Sequence, residues 1–202
     1  MWDMQIKLYF DYKSPYSYLG KDLAYQLERD YNVTIDWFPC AYDFSKVFGE
    51  LDKRTESQTN RVKYLYLDVR RIAETRNLII KPPKKYFDSS LAAMGGLFAK
   101  KQNKFRAYTD LVFDLFWKRE LDIEDKQTLA AIMKKIGLSS EAFLVYLMEE
   151  GPNKLKALHQ QAKEDKIFGF PLFIVEGEPF FGQDRIDWVR RKLDSLGLGK
   201  QS

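Results

Sequence analysis

The chain has one cysteine, Cys40, and one histidine, His159, among 202 residues. A lone cysteine excludes an internal disulfide, a Cys-x-x-Cys redox pair and a cysteine-based zinc site. A lone histidine takes away most support for hydrolytic mechanisms that need several histidines and for a His-rich centre, so no metal is expected. Long apolar runs are missing too. No stretch reaches the roughly 18 residues of a membrane span, and the N-terminus lacks the basic and apolar regions of a leader. The expected compartment is the cytoplasm, with no membrane partner. Nor does charge of one sign dominate: 33 basic and 29 acidic residues are intermixed and leave a net +4. That pattern describes a solvated surface, so nucleic acid is not an expected partner. The one basic cluster, Lys81 to Lys85 around Pro82-Pro83, is short and reads as a loop.

Apolar and aromatic residues are abundant, at 45% and 15%. They supply a core for one domain, with room for a large insertion. Ile6, Leu8 and Phe10 alternate with Lys7 and Tyr9, the period of a half-buried strand. Ser14-Pro15 then starts a helix, because serine suits the cap and proline the first helical position. Leu19, Leu23 and Leu27 continue it at helical spacing, and 33–38 is a second strand ended by Pro39. Strand, helix, strand makes one βαβ unit with a parallel pair.

From about Asp43 to Lys166 only helical patterns follow. The polar stretch 51–60 reads as a loop or an exposed helical turn. Val62, Leu65, Val69, Ile72 and Ala73 line one helix face, and Asp88 or Ser89 can cap the next helix. Four more helices are predicted around residues 105–116, 129–136, 139–148 and 155–162. Strand character returns at 170–175, Glu176-Gly177 is a two-residue turn, and 178–181 forms an antiparallel return. Gly182-Gln183-Asp184 opens a last helix with Ile186, Val189 and Leu193. A βαβ half (1–42) and a ββα half (167–202) thus flank a helical insertion (43–166). With a proline starting the third strand, this is the α/β layout of the thioredoxin fold.

A redox enzyme of that fold places a nucleophilic cysteine at the N-terminus of its first helix, where the dipole and free amides stabilise a thiolate. Here the position reads Ser14-Pro15-Tyr16-Ser17. Serine cannot exchange disulfides. The same electropositive pocket can still hold the thiolate of another molecule, such as glutathione, with the serine hydroxyl as hydrogen-bond donor.

Three motifs then coincide: Phe10-Asp11 with Ser14 to Leu19, Phe168-Gly169-Phe170-Pro171, and Phe181-Gly182-Gln183-Asp184-Arg185. Together they resemble the 2-hydroxychromene-2-carboxylate isomerases and, more distantly, the kappa-class glutathione transferases, across essentially the whole chain. Weaker similarity covers Asn60-Arg61, the 64–73 helix and 113–117.

The resemblance implies a DsbA-like thioredoxin fold with a helical insertion, glutathione as cofactor, and a small aromatic electrophile or enone acid as substrate. It assigns Ser14 to thiolate activation and Phe170, before a cis Pro171, to pairing with the tripeptide main chain. Phe181, Gly182, Gln183 and Asp184 belong to the glutathione site, the last two at its γ-glutamyl end. Asn60 and Arg61 would reach the site from the insertion, while Tyr86 or Lys46 would meet the second substrate. The family commonly dimerises, which makes a homodimer an expected partner state.

Taken singly, each residue has a plainer reading. Ser14-Pro15 is an ordinary cap worth about 1 kcal/mol, and Asp184 is an ordinary acid of a first helical turn. Asn60 and Arg61 suit a solvated turn, and Tyr86 and Trp117 suit core packing. Cys40 suits a small buried hydrophobe, and His159 a helix surface or a satisfied polar contact. Only the combination favours an enzyme. A kappa-like transferase shares these motifs, and the competitor of another class is a redox-silent peptide-binding protein using the Pro171 groove.

Overall fold

The computed structural model describes residues 4–200, without the side chains of residues 46, 47 and 51. The expected βαβ unit is formed by β1 (Met4–Asp11), α1 (Pro15–Asp30) and β2 (Val33–Cys40). The two strands are parallel and pair Ile6 with Ile35 and Leu8 with Trp37, so the alternating apolar residues share one buried face. At the other end of the chain, β3 (Leu172–Val175) and β4 (Glu178–Phe181) form an antiparallel hairpin. Its two turn residues, Glu176 and Gly177, both have positive φ, the backbone that matches strand twist. Because β3 also pairs antiparallel with β1, the sheet order is β2-β1-β3-β4. This is the α/β thioredoxin-like architecture.

Between β2 and β3 the chain is helical: α2 (Ser45–Phe48), α3 (Glu56–Thr75), α4 (Ser90–Lys101), α5 (Phe105–Trp117), α6 (Lys126–Lys135), α7 (Ser140–Met148) and α8 (Gly151–Glu164). The polar stretch 51–60 is neither a plain loop nor one turn. A 3-10 turn at Leu51–Lys53 leads to Thr55, which starts α3 with a reciprocal cap. Thr55 Oγ1 accepts from the Gln58 amide at 3.2 Å, and the Thr55 amide donates to Gln58 Oε1 at 2.9 Å. Thr-x-x-Gln is a capping-box signature, and it outweighs the polar composition. A second difference lies after β4. Gly182 leads into a 3-10 turn at Gln183–Arg185, and the last helix, α9 (Ile186–Ser195), starts only at Ile186.

The helices do not sit apart from the sheet. Phe10 on β1 lies 5.1 to 6.1 Å from the rings of Tyr12, Trp37, Phe105 and Phe113. Tyr12 also shares a 3.0 Å hydrogen bond with Thr109 on α5. Burying each such ring contributes about 1.5–3 kcal/mol, so the sheet and α5 stabilise one another. The end of β1, from which the Ser14 turn departs, is thereby fixed. Among the described residues no helix is long and apolar enough to cross a membrane, and no group of His, Cys, Asp and Glu is arranged to hold a metal ion.

The lone titratable residues are held in contacts. Cys40 is buried at the end of β2 beside Asp11, and burial pushes its thiol pKa well up. His159 on α8 accepts from the Ala41 amide through Nε2 at 3.1 Å. Trp117 is fully buried.

Candidate functional site at the first helix

The site begins with a buried carboxylate. Asp11, at the end of β1, is wholly inaccessible and accepts from the amides of Lys13 and Tyr42 at 3.0 Å each. Burial raises its pKa, while the Lys13 ammonium, 3.7 Å away, pulls it back. These bonds tie the β1–α1 turn to the loop after β2, so the approach to Ser14 is held from two sides. The Ser14 amide then donates to the Asp11 carbonyl at 3.0 Å.

Ser14 caps α1. Its Oγ accepts from the Ser17 amide at 3.2 Å and donates to the Phe170 carbonyl at 3.3 Å. Pro15 has no N–H, and the amides of Ser17 and Tyr18 are spent on Ser14. The Tyr16 amide is therefore the first-turn donor without a partner among the described residues.

Opposite lies the cis peptide Phe170-Pro171. The Phe170 N–H has no hydrogen-bond partner among the described residues, while the Pro171 carbonyl accepts from Gly182 at 2.9 Å. Gly20 on α1 permits the close approach of these segments. A Cβ there would meet Pro171 Cγ at 3.3 Å and Gln183 Cβ at 3.4 Å. Gly182 has φ +104°, a conformation that glycine adopts without a steric penalty.

Gln183 is buried, and its Oε1 accepts from Arg76 Nη2 at 2.9 Å. The other Arg76 nitrogen, Nη1, donates to the Leu19 carbonyl at 2.6 Å. Asp184 is exposed and pairs with Arg185 at 2.6 Å. It lies near enough to Tyr16 to add to the rise of that phenol's pKa, a rise caused first by burial and next by the 2.8 Å bond from Tyr16 to Asp68.

A cavity of about 240 Å³ opens beside Ser14. Ser14, Pro15 and Tyr16 form one side, and Phe168, Phe170 and Phe181 another. Phe44, Phe48 and Tyr86 close a third, with Val62, Leu65 and Tyr66 reaching in from α3. Burial pushes the Tyr66 phenol up to about 12, so it is a neutral hydroxyl at neutral pH. The cavity thus combines apolar and aromatic walls with a few polar groups, as small-molecule sites do.

Of the residues singled out from the sequence, Ser14, Phe170, Phe181 and Tyr86 share this cavity. Pro171, Gly182, Gln183 and Asp184 stand behind or beside it. Asn60 and Arg61 are exposed on the early turns of α3 and do not line it. The side chain of Lys46 lies outside the described residues. Sequence reasoning missed Arg54, Tyr66 and Arg76. The Thr55 capping box marks Arg54 as the residue before a helix start, but nothing local indicates which cavity that start faces.

Residues 5–194 match the family model of the DSBA-like thioredoxin domain, and the chain belongs to that family. The chain is 26% identical over 197 residues to the 2-hydroxychromene-2-carboxylate isomerase of Pseudomonas putida, covering 96% of each. It is 24% identical over 212 residues to the human glutathione S-transferase kappa 1, covering 96% of this chain and 92% of that one. A solved 2-hydroxychromene-2-carboxylate isomerase structure superposes with a TM-score of 0.80 at 24% identity, covering 96% of both chains. The resemblance read from the sequence therefore holds for the chain as a whole, and the fold is DsbA-like.

Proposed function

We propose that the protein is a glutathione-dependent isomerase of the 2-hydroxychromene-2-carboxylate type, working in the cytoplasm. The observation that carries this reading is the placement of the Ser14 hydroxyl, at a helix N-terminus, in an aromatic cavity facing the Phe170 backbone. No cysteine is available there, and Cys40 is buried elsewhere, which weighs against disulfide exchange. Two backbone donors unspent among the described residues, the amides of Tyr16 and Phe170, suit an extended tripeptide thiol.

When bound, glutathione would supply a thiolate able to add reversibly to the conjugated carbon of an aromatic enone acid, which frees rotation about the former double bond. Ser14 would turn its one proton from the Phe170 carbonyl toward the sulfur and lower the thiol pKa, helped by the helix dipole. Phe170 would hold the main chain. Gln183 and Asp184 would form the γ-glutamyl end, where Asp184 suits an ammonium. Tyr86 and the apolar walls would hold the aromatic ring and exclude water, a contribution of proximity and orientation.

Isothermal titration with glutathione, followed by an absorbance assay on a hydroxychromene carboxylate, tests this reading. Saturable binding and glutathione-dependent interconversion are expected. A conjugated product that accumulates would instead identify a kappa-like transferase. Absence of glutathione binding would leave only the redox-silent peptide-binding protein.

A further inference from the structure

The cavity beside Ser14 has charge of one sign. Its charged lining residues are Lys13, Arg54 and Lys85, and no Asp or Glu lines it among the described residues. Lys85 is exposed and paired with Glu124, so its charge is already answered. Arg54 is different. Its Nε donates to the Phe48 carbonyl at 3.1 Å, its Nη2 donates to the Tyr86 hydroxyl at 2.7 Å, and its guanidinium lies 5.4 Å from the Tyr86 ring centroid. Among the described residues it has no carboxylate partner. Tyr86 passes its own proton to the Gly49 carbonyl at 2.9 Å, which fixes the hydroxyl as an acceptor toward Arg54. Among the described residues the guanidinium is thus positioned by neutral groups alone, with Nη1 unspent.

Lys13 lies on the same wall, with its ammonium 5.5 Å from the Phe44 ring centroid. Its side chain is only 10% exposed, and Asp11 at 3.7 Å is an ion-pair partner beyond hydrogen-bond reach. An ammonium has three donors, and none finds an acceptor among the described residues. An ammonium with no hydrogen-bond acceptor among the described residues and a half-buried guanidinium with one nitrogen left over, both set against aromatic rings, present donors that an anionic ligand would complete.

We propose that Arg54 and Lys13 form an anion subsite of this cavity, which selects aromatic substrates bearing a carboxylate over their neutral isosteres. Arg54 supplies the geometric recognition through its unspent guanidinium edge, and Lys13 adds charge beside Ser14. The inference deepens the isomerase reading and rests on it for the identity of the site. It gives the cavity's polar wall one role, which is to orient the aromatic acid rather than to hold the tripeptide.

The test is equilibrium binding of cinnamate and cinnamamide to the full chain, with and without saturating glutathione. Cinnamate should bind about tenfold more tightly or better, a preference that weakens with added salt. In R54M the preference should collapse, in R54K part of it should return, and K13M should reduce it. Equal affinities for the acid and the amide in the wild type would overturn the proposal, whatever the variants do. Mutual displacement of cinnamate and glutathione would also overturn it, because the cations would then serve a carboxylate of the tripeptide. Lack of glutathione binding would count against the isomerase reading alone, since the acid-to-amide comparison needs no cofactor.

Discussion

Arg76 Nη2 donates to Gln183 Oε1 at 2.9 Å, and this bond joins the end of α3 to the turn that follows β4. With Nη1 on the Leu19 carbonyl, one guanidinium clamps α1, the Gln183 turn and the helical insertion together. Burial lowers its pKa, yet guanidinium stays charged at any physiological pH. Gln183 Oε1 is therefore spent on structure, which leaves the side-chain NH2, the turn's backbone and Asp184 to meet a ligand.

Replacing Arg76 by Met should leave a buried carbonyl and a buried amide oxygen without their donor. A loss of about 1–3 kcal/mol in urea unfolding is expected. The double variant R76M/Q183M should recover part of that loss, because both unmatched groups of the pair are then gone. Strict additivity of the two single changes would show that the bond is not energetically coupled.

Ser14→Ala removes a cap and a hydroxyl at once. The cap should cost about 1 kcal/mol in thermal or urea unfolding. Under the proposed function, the glutathione-dependent rate should fall on the order of a hundredfold, the scale for losing one oriented donor. A rate that merely follows the stability loss would assign Ser14 to capping.

Stability should fall on the acid side through His159. Its Nε2 accepts from Ala41, so the ring must stay neutral there; burial lowers its pKa, as does Lys13, against opposing pulls from Asp11 and Asp88. A base with a lowered folded pKa contributes its full stability above the unfolded value of 6.5 and loses it as pH falls through the folded value. Unfolding midpoints measured from about pH 7.5 down to about pH 5 should show this component in the wild type and not in His159→Phe. Parallel profiles would contradict it.

Cys40 should be silent toward thiol reagents in the native state, since it is 1% exposed and its thiol is held well above its ordinary pKa by burial. Reaction with an aromatic disulfide should therefore show no fast phase, and denaturant should reveal the single thiol. Rapid native labelling would place Cys40 at an accessible surface.

The strands, the first helix, the body though not the start of the last helix, and the Ser14 cap were legible in the sequence because their signals are local. Alternation in Ile6, Leu8 and Phe10, the Ser-Pro start and the Glu176-Gly177 turn each involve neighbours along the chain. The start of α3 was equally local in Thr55 and Gln58, but the surrounding polar residues masked it. Serine in place of cysteine at the first helix also settled that the protein cannot run dithiol chemistry through that position.

What the sequence could not determine is which distant groups share the cavity. Asn60 and Arg61 lie within the early turns of α3, yet the phase of the helix turns Val62, Leu65 and Tyr66 inward and leaves those two outside. Arg54 meets Tyr86 across 32 positions, and Arg76 meets Gln183 across 107, through hydrogen bonds that no periodicity encodes. Local propensity fixes where elements begin and end, whereas helix phase and packing against the sheet decide which side chains face one another. The Ser14 turn could be read from the chain; that Arg54, Phe44 and Tyr86 line the same cavity is decided only by folding.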